Sequence, residues 1–444
     1  MKSTTNRRSF FKKAAVLAGA FSSNSLFEQL HAADIAAKNR QFAGLSPQKM
    51  AANEDFWTTI QQGYPSSSSP VLNLNNGGVS PSPQLVVEAV ARYSQMSNQA
   101  PSYYMWRILD QGREPLRQKL AQLGGCDPEE LAINRNATEA LNTIIYGLDL
   151  QKGDEVIGCK QDYPNMMHAW KQRAEREGIV YKQLSFDFPI EDDERIVNAY
   201  REAITPKTKM IHVTHVINWV GQIMPVKKIS QMAHANGLEV IVDGAHSFGL
   251  LDFNIPDLEA DYFGTSLHKY LSAPIGTGMM WVSKEKISKV WPLLCNGNPK
   301  SENIRKFESL GTRSFPLEQG IGEALNFHNG IGAKRKEERV RYLKNYWAEK
   351  AMGIPGVHIH TSLLPAYSCA IAGVSVEGLS PGKLEQELLG KYKIHTTPIS
   401  YENIQCVRVS PHVYTRISDL DRLVVALEEL ATTYGSQRLE QKGA

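Results

Sequence analysis

What this chain lacks narrows it first. Cysteine is scarce: Cys126, Cys159, Cys295, Cys369 and Cys406 are scattered and odd in number, and most of them read as buried free thiols. No Cys-x-x-Cys pair and no cysteine–histidine spacing suited to zinc occurs, so no pattern demands a disulfide framework or a zinc module. An excess of one charge is also missing. The 49 basic residues against 46 acidic ones leave a formal net charge of +3, which implies no polyanionic partner. No basic stripe with interleaved aromatics is present, and nucleic-acid binding has no support. Gly276-Thr277-Gly278 is followed by no strand–turn–helix, so it is not a dinucleotide fingerprint. No internal repeat is seen. What is there is ordinary: 444 residues, 42% hydrophobic and 21% charged, a composition that excludes disorder as the main state. The length exceeds one compact core, and two domains are expected.

Residues 1–33 read as a targeting segment. Asn6-Arg7-Arg8-Ser9-Phe10-Phe11-Lys12 resembles the twin-arginine export consensus and precedes a short apolar run from Ala14 to Phe21. That run falls short of the roughly 20 apolar residues a bilayer-spanning helix needs. The segment predicts export of the folded protein to the periplasm by the twin-arginine translocase, with cleavage near His31-Ala32-Ala33. Residues 34–83 form an N-terminal arm, in which Gly44 to Ser82 is rich in Ser, Pro, Asn and Gly and is expected to be irregular. Over residues 84–315 short apolar runs alternate with amphipathic stretches, the pattern of a mostly parallel α/β sheet with helices on both faces. Residues 316–444 hold a long helical connection, Leu317 to Met352, and a smaller C-terminal domain. There a strand is expected over Ser368 to Val374 and helices at Pro381–Gly390 and Ile417–Tyr434. In the connection, Glu323, Lys334, Arg335, Lys336, Glu337, Glu338 and Arg339 are expected to mark a solvated helix face.

The most informative residues stand where two apolar runs end. Leu238 to Val242 closes on Asp243-Gly244-Ala245-His246, and Tyr262 to Thr265 leads into Ser266-Leu267-His268-Lys269, with Lys269 26 residues after Asp243. In open parallel sheets ligands bind outside the carboxyl ends of strands, and Asp243, His215 and Lys269 all stand at or just past a run's end. Singly, an aspartate there is a turn or helix cap and a lysine a rim residue. Together they are the two side chains that pyridoxal phosphate (PLP) chemistry needs. The amine holds the cofactor as an imine, and the carboxylate keeps its ring nitrogen protonated so that the ring accepts electrons from a bond to Cα.

Asp-Gly-Ala-His, Ser-x-His-Lys and the glycine-flanked run Gly276 to Val282 resemble the class V aminotransferase family of fold-type I PLP enzymes. The resemblance extends from about Leu74 to about Leu430. It implies the fold-type I PLP-dependent transferase architecture: an α/β large domain on a mostly parallel sheet of the seven-stranded type, with a smaller α+β C-terminal domain. By the same resemblance Lys269 forms the imine, Asp243 pairs with the ring nitrogen and His246 bonds the phenolic oxygen. Ser266 and His268 hold the phosphate. Ala137 and Thr138 fall on the family's phosphate cradle, at the start of a helix expected over Glu139 to Tyr146, where the dipole favours an anion. Tyr163 follows the expected strand Val156 to Cys159 and falls where the family lays an aromatic residue or histidine against the ring. Thr312, in Phe307 to Arg313, matches a threonine that reaches the other subunit's phosphate, which implies a homodimer with shared active sites. Arg408, in Val407 to Tyr414, matches the arginine that takes the α-carboxylate of an amino-acid substrate with two parallel donors. A structural ion pair is the other reading of Arg408.

One segment departs from the family pattern. Relatives show a small Ser/Thr-rich turn ending in Thr-Gly, whereas this chain has His215-Val216-Ile217-Asn218-Trp219-Val220-Gly221, and Trp219 reads as a core residue or a pocket wall. Among subgroups the chain looks closest to the isopenicillin N epimerase-like one. The expected activity is PLP-dependent chemistry at Cα of an amino-acid or amino-acid-containing substrate, an epimerase or aminotransferase with Lys269 as base. One alternative is a C–S lyase or cysteine desulfurase-like enzyme. Desulfurases carry a mobile cysteine in the loop before the arginine, but here Ile394 to Tyr401 contains none and Cys406 lies in an apolar run. The other alternative, a periplasmic protein that binds PLP or another ligand without turnover, is opposed by the presence of both Lys269 and Asp243.

Overall fold

The computed structural model describes residues 33–65, 69–294 and 296–442, so the targeting segment before Ala33 and Cys295 lie outside the described residues. After β1 (Leu72–Asn73), seven strands build one sheet: β2 (Leu131–Asn134), β3 (Glu155–Cys159), β4 (Val180–Leu184), β5 (Thr208–Thr214), β6 (Glu239–Asp243), β7 (Tyr262–Ser266) and β8 (Gly278–Val282). They lie in the order β2-β8-β7-β6-β5-β3-β4. Every pairing is parallel except those of β8, which runs against both β2 and β7. The mostly parallel seven-stranded sheet expected from the sequence is therefore present. Beyond it come β9 (Val357–Ile359), β10 (Ala372–Val376), β11 (Ile394–His395), β12 (Thr397–Tyr401) and β13 (Ile404–Val409). Four of these make an antiparallel sheet, β12-β13-β10-β9, while β11 pairs in parallel with β1 and ties the arm to this C-terminal unit.

A helical stretch over residues 33–41 precedes the α-helices α1 (Pro47–Ala51), α2 (Glu54–Gln62), α3 (Gln84–Gln99), α4 (Arg113–Gly124), α5 (Ala137–Gly147), α6 (Pro164–Glu177), α7 (Asp193–Ala203), α8 (Val226–Ala235), α9 (Phe315–Ile331), α10 (Ala333–Met352), α11 (Pro381–Tyr392) and α12 (Ile417–Lys442). Side chains alternate across a strand, and the large sheet uses both faces. Ile133, Ile157, Ile211, Val240, Val242 and Phe263 pack with Leu116 and Leu120 of α4, Ile196 of α7 and Ile229 of α8. Their neighbours Ala132, Val156, Met210, Ile241 and Tyr262 pack with Ala140 and Ile144 of α5 and Met166 and Trp170 of α6. Burial on both faces explains why these strands read as unbroken apolar runs.

Three expectations give way to the structure. The arm is not irregular throughout: α1 and α2 fill part of it, capped by Ser46, which accepts from the Lys49 amide, and Asn53, which accepts from the Phe56 amide. Phe56, Trp57 and Ile60 are buried, with the Trp57 indole donating to the Met50 carbonyl at 2.8 Å. Cap residues are also loop residues, so composition alone masked the helical spacing. The charged face of the connection is also only partly solvated. The connection is two helices meeting at Gly332, whose φ of +96° suits glycine. Lys334 is exposed, but Lys336, Glu337 and Arg339 are buried because the arm and the loop after Lys269 cover that side. Arg339 bridges Glu54 and the Ala51 carbonyl, Glu337 accepts from the Asp252 amide at 3.0 Å, and the Lys336 amine donates to the Tyr270 carbonyl. The strand expected over Ser368 to Val374 begins later, at Ala372.

Candidate active site

The carboxyl ends of the parallel strands converge on one cleft of about 400 Å³. β6 delivers Asp243, opposite Thr214 at the end of β5. β7 ends at Ser266 and runs into the turn that carries His268 and Lys269, while β2 leads into α5 and so to Ala137 and Thr138. β3 leads to Tyr163, which stands at the start of α6. The second sheet contributes Arg408 from β13, and the arm closes the cleft with Gly77, Gly78 and Val79. Ala137, Thr138, Tyr163, Asp243, His246, Ser266, His268, Lys269 and Arg408 thus all line one space.

Its electrostatics centre on three groups. Asp243 is buried and its Oδ1 accepts from the Ala245 amide at 2.9 Å. Burial raises its pKa, while the Ala245 hydrogen bond and Lys269 pull it back down. Burial lowers the Lys269 amine to about 8, against the pull of Asp243 and with added repulsion from Arg408. Lys269 Nζ lies 3.2 Å from Nε2 of His246, and the same Nε2 stands 2.7 Å from the Gly77 carbonyl, which can only accept. Burial, then Lys269 and Arg408, push His246 well below its ordinary pKa, so the ring is neutral. Behind them Asp162 is fully buried and accepts from the Cys159 amide and the Thr214 hydroxyl, both at 2.7 Å. Burial lifts Asp162 to about 7, with Asp243 adding to the rise.

The opposite end of the cleft suits a phosphate. Asn136 caps α5 by accepting from the Glu139 amide at 2.9 Å, and the Ala137 amide donates to Ser266 Oγ at 2.9 Å. His268 donates from Nδ1 to the Thr277 carbonyl at 3.0 Å, which leaves Nε2 as its other ring atom. Gly278 permits this closeness, since a Cβ there would stand 2.5 Å from the Cα of Asn136. A helix start, a neutral imidazole, a buried carboxylate and an amine of lowered pKa are the groups PLP requires. Two buried polar atoms that border the cleft, Asn218 Oδ1 and Arg408 Nε, have no hydrogen-bond partner among the described residues. The residues fit the cofactor.

Arg408 is buried without a carboxylate partner among the described residues, so it is not a structural ion pair. Its guanidinium donates to the Asn218 carbonyl at 3.0 Å and to Asn75 Oδ1 at 2.7 Å. Burial lowers its pKa. Trp219 lines the cleft and stacks on Tyr401 with ring centres 5.5 Å apart, which makes it a wall of the cleft. Two residues stand elsewhere. Thr312 is exposed on the loop after Gly311, outside the cleft of its own chain. His215 packs edge-on against Phe253 at 5.0 Å, and burial lowers it to about 4. Asn218, Thr397 and Asn75 were not singled out from the sequence. Asn218 lies in the very segment read for its tryptophan, and its signal is the orphaned amide that only the fold reveals.

Fold and cleft together define a PLP-dependent enzyme of fold type I. The chain belongs to the class V aminotransferase family, whose model ("Aminotransferase class-V") matches residues 72–423. Among curated proteins it is similar to the isopenicillin N epimerase of Amycolatopsis lactamdurans, 28% identical over 380 residues, which covers 81% of this chain and 95% of the relative. It is also similar to a cysteine desulfurase of Haloferax volcanii, 26% identical over 393 residues, covering 81% and 89%. Among solved structures it shares its fold with the cystine C–S lyase C-DES in complex with its product cysteine persulfide. That match has a TM-score of 0.74 at 22% identity and covers 82% of this chain and 98% of the other. The cysteine desulfurase of Thermococcus onnurineus NA1 aligns with a TM-score of 0.73 at 21% identity, covering 85% and 98%.

Proposed function

We propose that this protein is an isopenicillin N epimerase-like enzyme that moves the Cα proton of an amino-acid or amino-acid-containing substrate, with transamination as the related outcome of the same proton removal. The observation that carries the reading is a single cleft holding the Lys269 amine, the buried Asp243 carboxylate and an Arg408 guanidinium with no carboxylate partner among the described residues. When bound, PLP supplies an electron sink for the bonds at Cα. Lys269, Asp243, His246, Ser266, His268, Ala137, Thr138 and Tyr163 would hold it. Arg408 takes the α-carboxylate of the substrate and fixes which bond at Cα faces Lys269. Lys269 Nζ, poised near neutrality, takes the Cα proton, and return of a proton to the opposite face of Cα gives the epimer. Trp219 and Tyr401 exclude water from one side of the substrate.

The thiol chemistry of a desulfurase is disfavoured. Ile394 to Tyr401 is largely β-structure without cysteine, and Cys406 is buried, packed against Gly373 and pushed up to about 12 by burial. The test is product analysis on the PLP-loaded protein with a panel of L- and D-amino acids. Interconversion of enantiomers or epimers, or formation of the keto acid, supports the proposal. Sulfide release from cysteine or cystine as the main reaction rejects it, and a wild type without visible cofactor absorbance rejects enzyme action altogether.

The same reading includes a homodimer, in which Thr312 completes the other subunit's phosphate site, and export to the periplasm. The Arg7-Arg8 pair supports the second point. Replacing both arginines by lysine should retain the protein in the cytoplasm, and an unchanged distribution would rule out the twin-arginine route.

A further inference from the structure

Behind Arg408 stands a pair of residues, Asn75 and His395, that do not line the cleft themselves. Arg408 donates to Asn75 Oδ1 at 2.7 Å, and Asn75 Nδ2 lies 3.3 Å from Nε2 of His395. The polarity of this chain is forced. A guanidinium carries only donors, so the amide must turn its oxygen to Arg408 and its NH₂ to His395. Nε2 of His395 must then accept, which leaves the ring neutral with its proton on Nδ1. The backbone on both sides is fixed. The Asn75 amide donates to Asn73 Oδ1 at 3.1 Å, and the His395 carbonyl accepts from the Leu74 amide at 2.9 Å within the β1–β11 pairing.

Building on the assignment of Arg408 to the substrate α-carboxylate, we propose that His395 and Asn75 are positioning residues for that arginine. Neutral His395 holds the Asn75 amide in the one orientation that presents an acceptor to the guanidinium. Protonation of His395 puts two donors face to face. The amide then turns, and Arg408 meets an NH₂ instead of an oxygen. Of the guanidinium's two anchors only the Asn218 carbonyl remains, so its plane is no longer set for a two-pronged carboxylate. Substrate binding then falls with falling pH through this relay, separately from any protonation of Lys269 itself.

The surroundings leave this proton free to act. β1 carries no titratable side chain beside the ring. On α11 the titratable groups are Lys383, Glu385, Glu387, Lys391 and Tyr392, of which Lys383 pairs with Glu387 at 2.7 Å. Lys391 and Tyr392 both engage Glu429, at 3.1 and 2.7 Å, and Lys393, just before the strand, donates to the Gly390 carbonyl at 3.0 Å. None of these bonds the His395 ring, so Arg408, acting through Asn75, is the charge linked to it by hydrogen bonds.

The experiment has two arms on the PLP-loaded protein between about pH 5 and pH 8, the span in which imidazoles change charge. In the first, the side-chain amide signals of Asn75 are followed by NMR in wild type and His395→Gln, without substrate. In the second, L-alanine and isopropylamine, an amine lacking the carboxylate, are titrated against the cofactor's visible absorbance. The expected result is an Asn75 signal that shifts with pH in wild type and is flat in His395→Gln, where the glutamine oxygen keeps accepting. Half-saturation by L-alanine should worsen roughly tenfold on acidification relative to His395→Gln, as expected for one hydrogen bond to a charged group, with no such difference for isopropylamine. A pH-indifferent Asn75 amide, or equal acid dependence of alanine binding in wild type and His395→Gln, overturns the relay. Unweakened alanine binding in Arg408→Gln instead overturns the carboxylate assignment, and the Asn75 signals then judge the relay by themselves.

Discussion

At the scale of single residues the site works by placing opposed charges where water is scarce. Lys269 is the case in point: burial favours its neutral form, while Asp243 favours the charged one, and the balance sits at about 8. A lysine with an ordinary pKa near 10.4 would be almost wholly protonated at neutral pH and a poor base. In the cofactor-free protein, labelling of Lys269 by an amine-reactive reagent should therefore rise with a midpoint near pH 8. Asp243→Asn removes the group that stabilises the ammonium and should lower that midpoint. A midpoint near 10, or one that rises in the variant, would contradict the balance. Arg408→Gln should raise the half-saturating amino-acid concentration by roughly tenfold to a hundredfold, the loss of a charged hydrogen-bonded contact, with a smaller change in kcat. Steady-state kinetics checks the split. Residues such as Lys269 and Asp243 were legible in the sequence because each closes a local motif at a strand end. Asn218, Asn75 and His395 were not, because their meaning lies in contacts with Arg408 made across the fold.

At the scale of elements, a buried ion cluster fixes the entry to the Thr312 loop. Glu308 accepts from Arg117 at 2.7 and 2.9 Å, from Arg113 at 3.1 Å and from the Ile133 amide at 2.7 Å. One carboxylate thereby ties α4, strand β2 and the segment that leads to Gly311 and Thr312. Removing its charge leaves Arg113 to Glu318 alone and the buried Arg117 to the more exposed Glu114. Glu308→Gln should cost about 1.5–3 kcal/mol, the loss of hydrogen bonds between charged groups, read as a lower denaturant midpoint at an unchanged slope. A loss below about 1 kcal/mol would mean that the cluster relaxes by other contacts. The strands of the large sheet were readable as apolar runs because both of their faces are covered. The arm and the connection were misread for a shared reason. Glu54 in α2 and Arg339 in α10 each look solvated in sequence, and only their mutual contact explains the burial of Arg339.

For the whole molecule, the cleft of one chain contains every proposed cofactor contact except Thr312. If Thr312 serves the neighbouring subunit, Lys269→Ala and Thr312→Ala chains should complement one another. In a mixed dimer the site that keeps Lys269 receives an intact Thr312 from its partner, and activity should exceed that of either variant alone. No recovery on mixing would place Thr312 outside the active site. The central claim is reached most directly by Cα proton exchange. The PLP-loaded protein is incubated in heavy water with an amino acid that it accepts, and the configuration and deuterium content at Cα are followed together. The expected result is deuterium entering Cα with inversion or with keto-acid formation, absent in Lys269→Ala and dependent on Arg408. Turnover without any exchange at Cα, or exchange that persists undiminished in Lys269→Ala, would contradict Lys269 as the base at Cα.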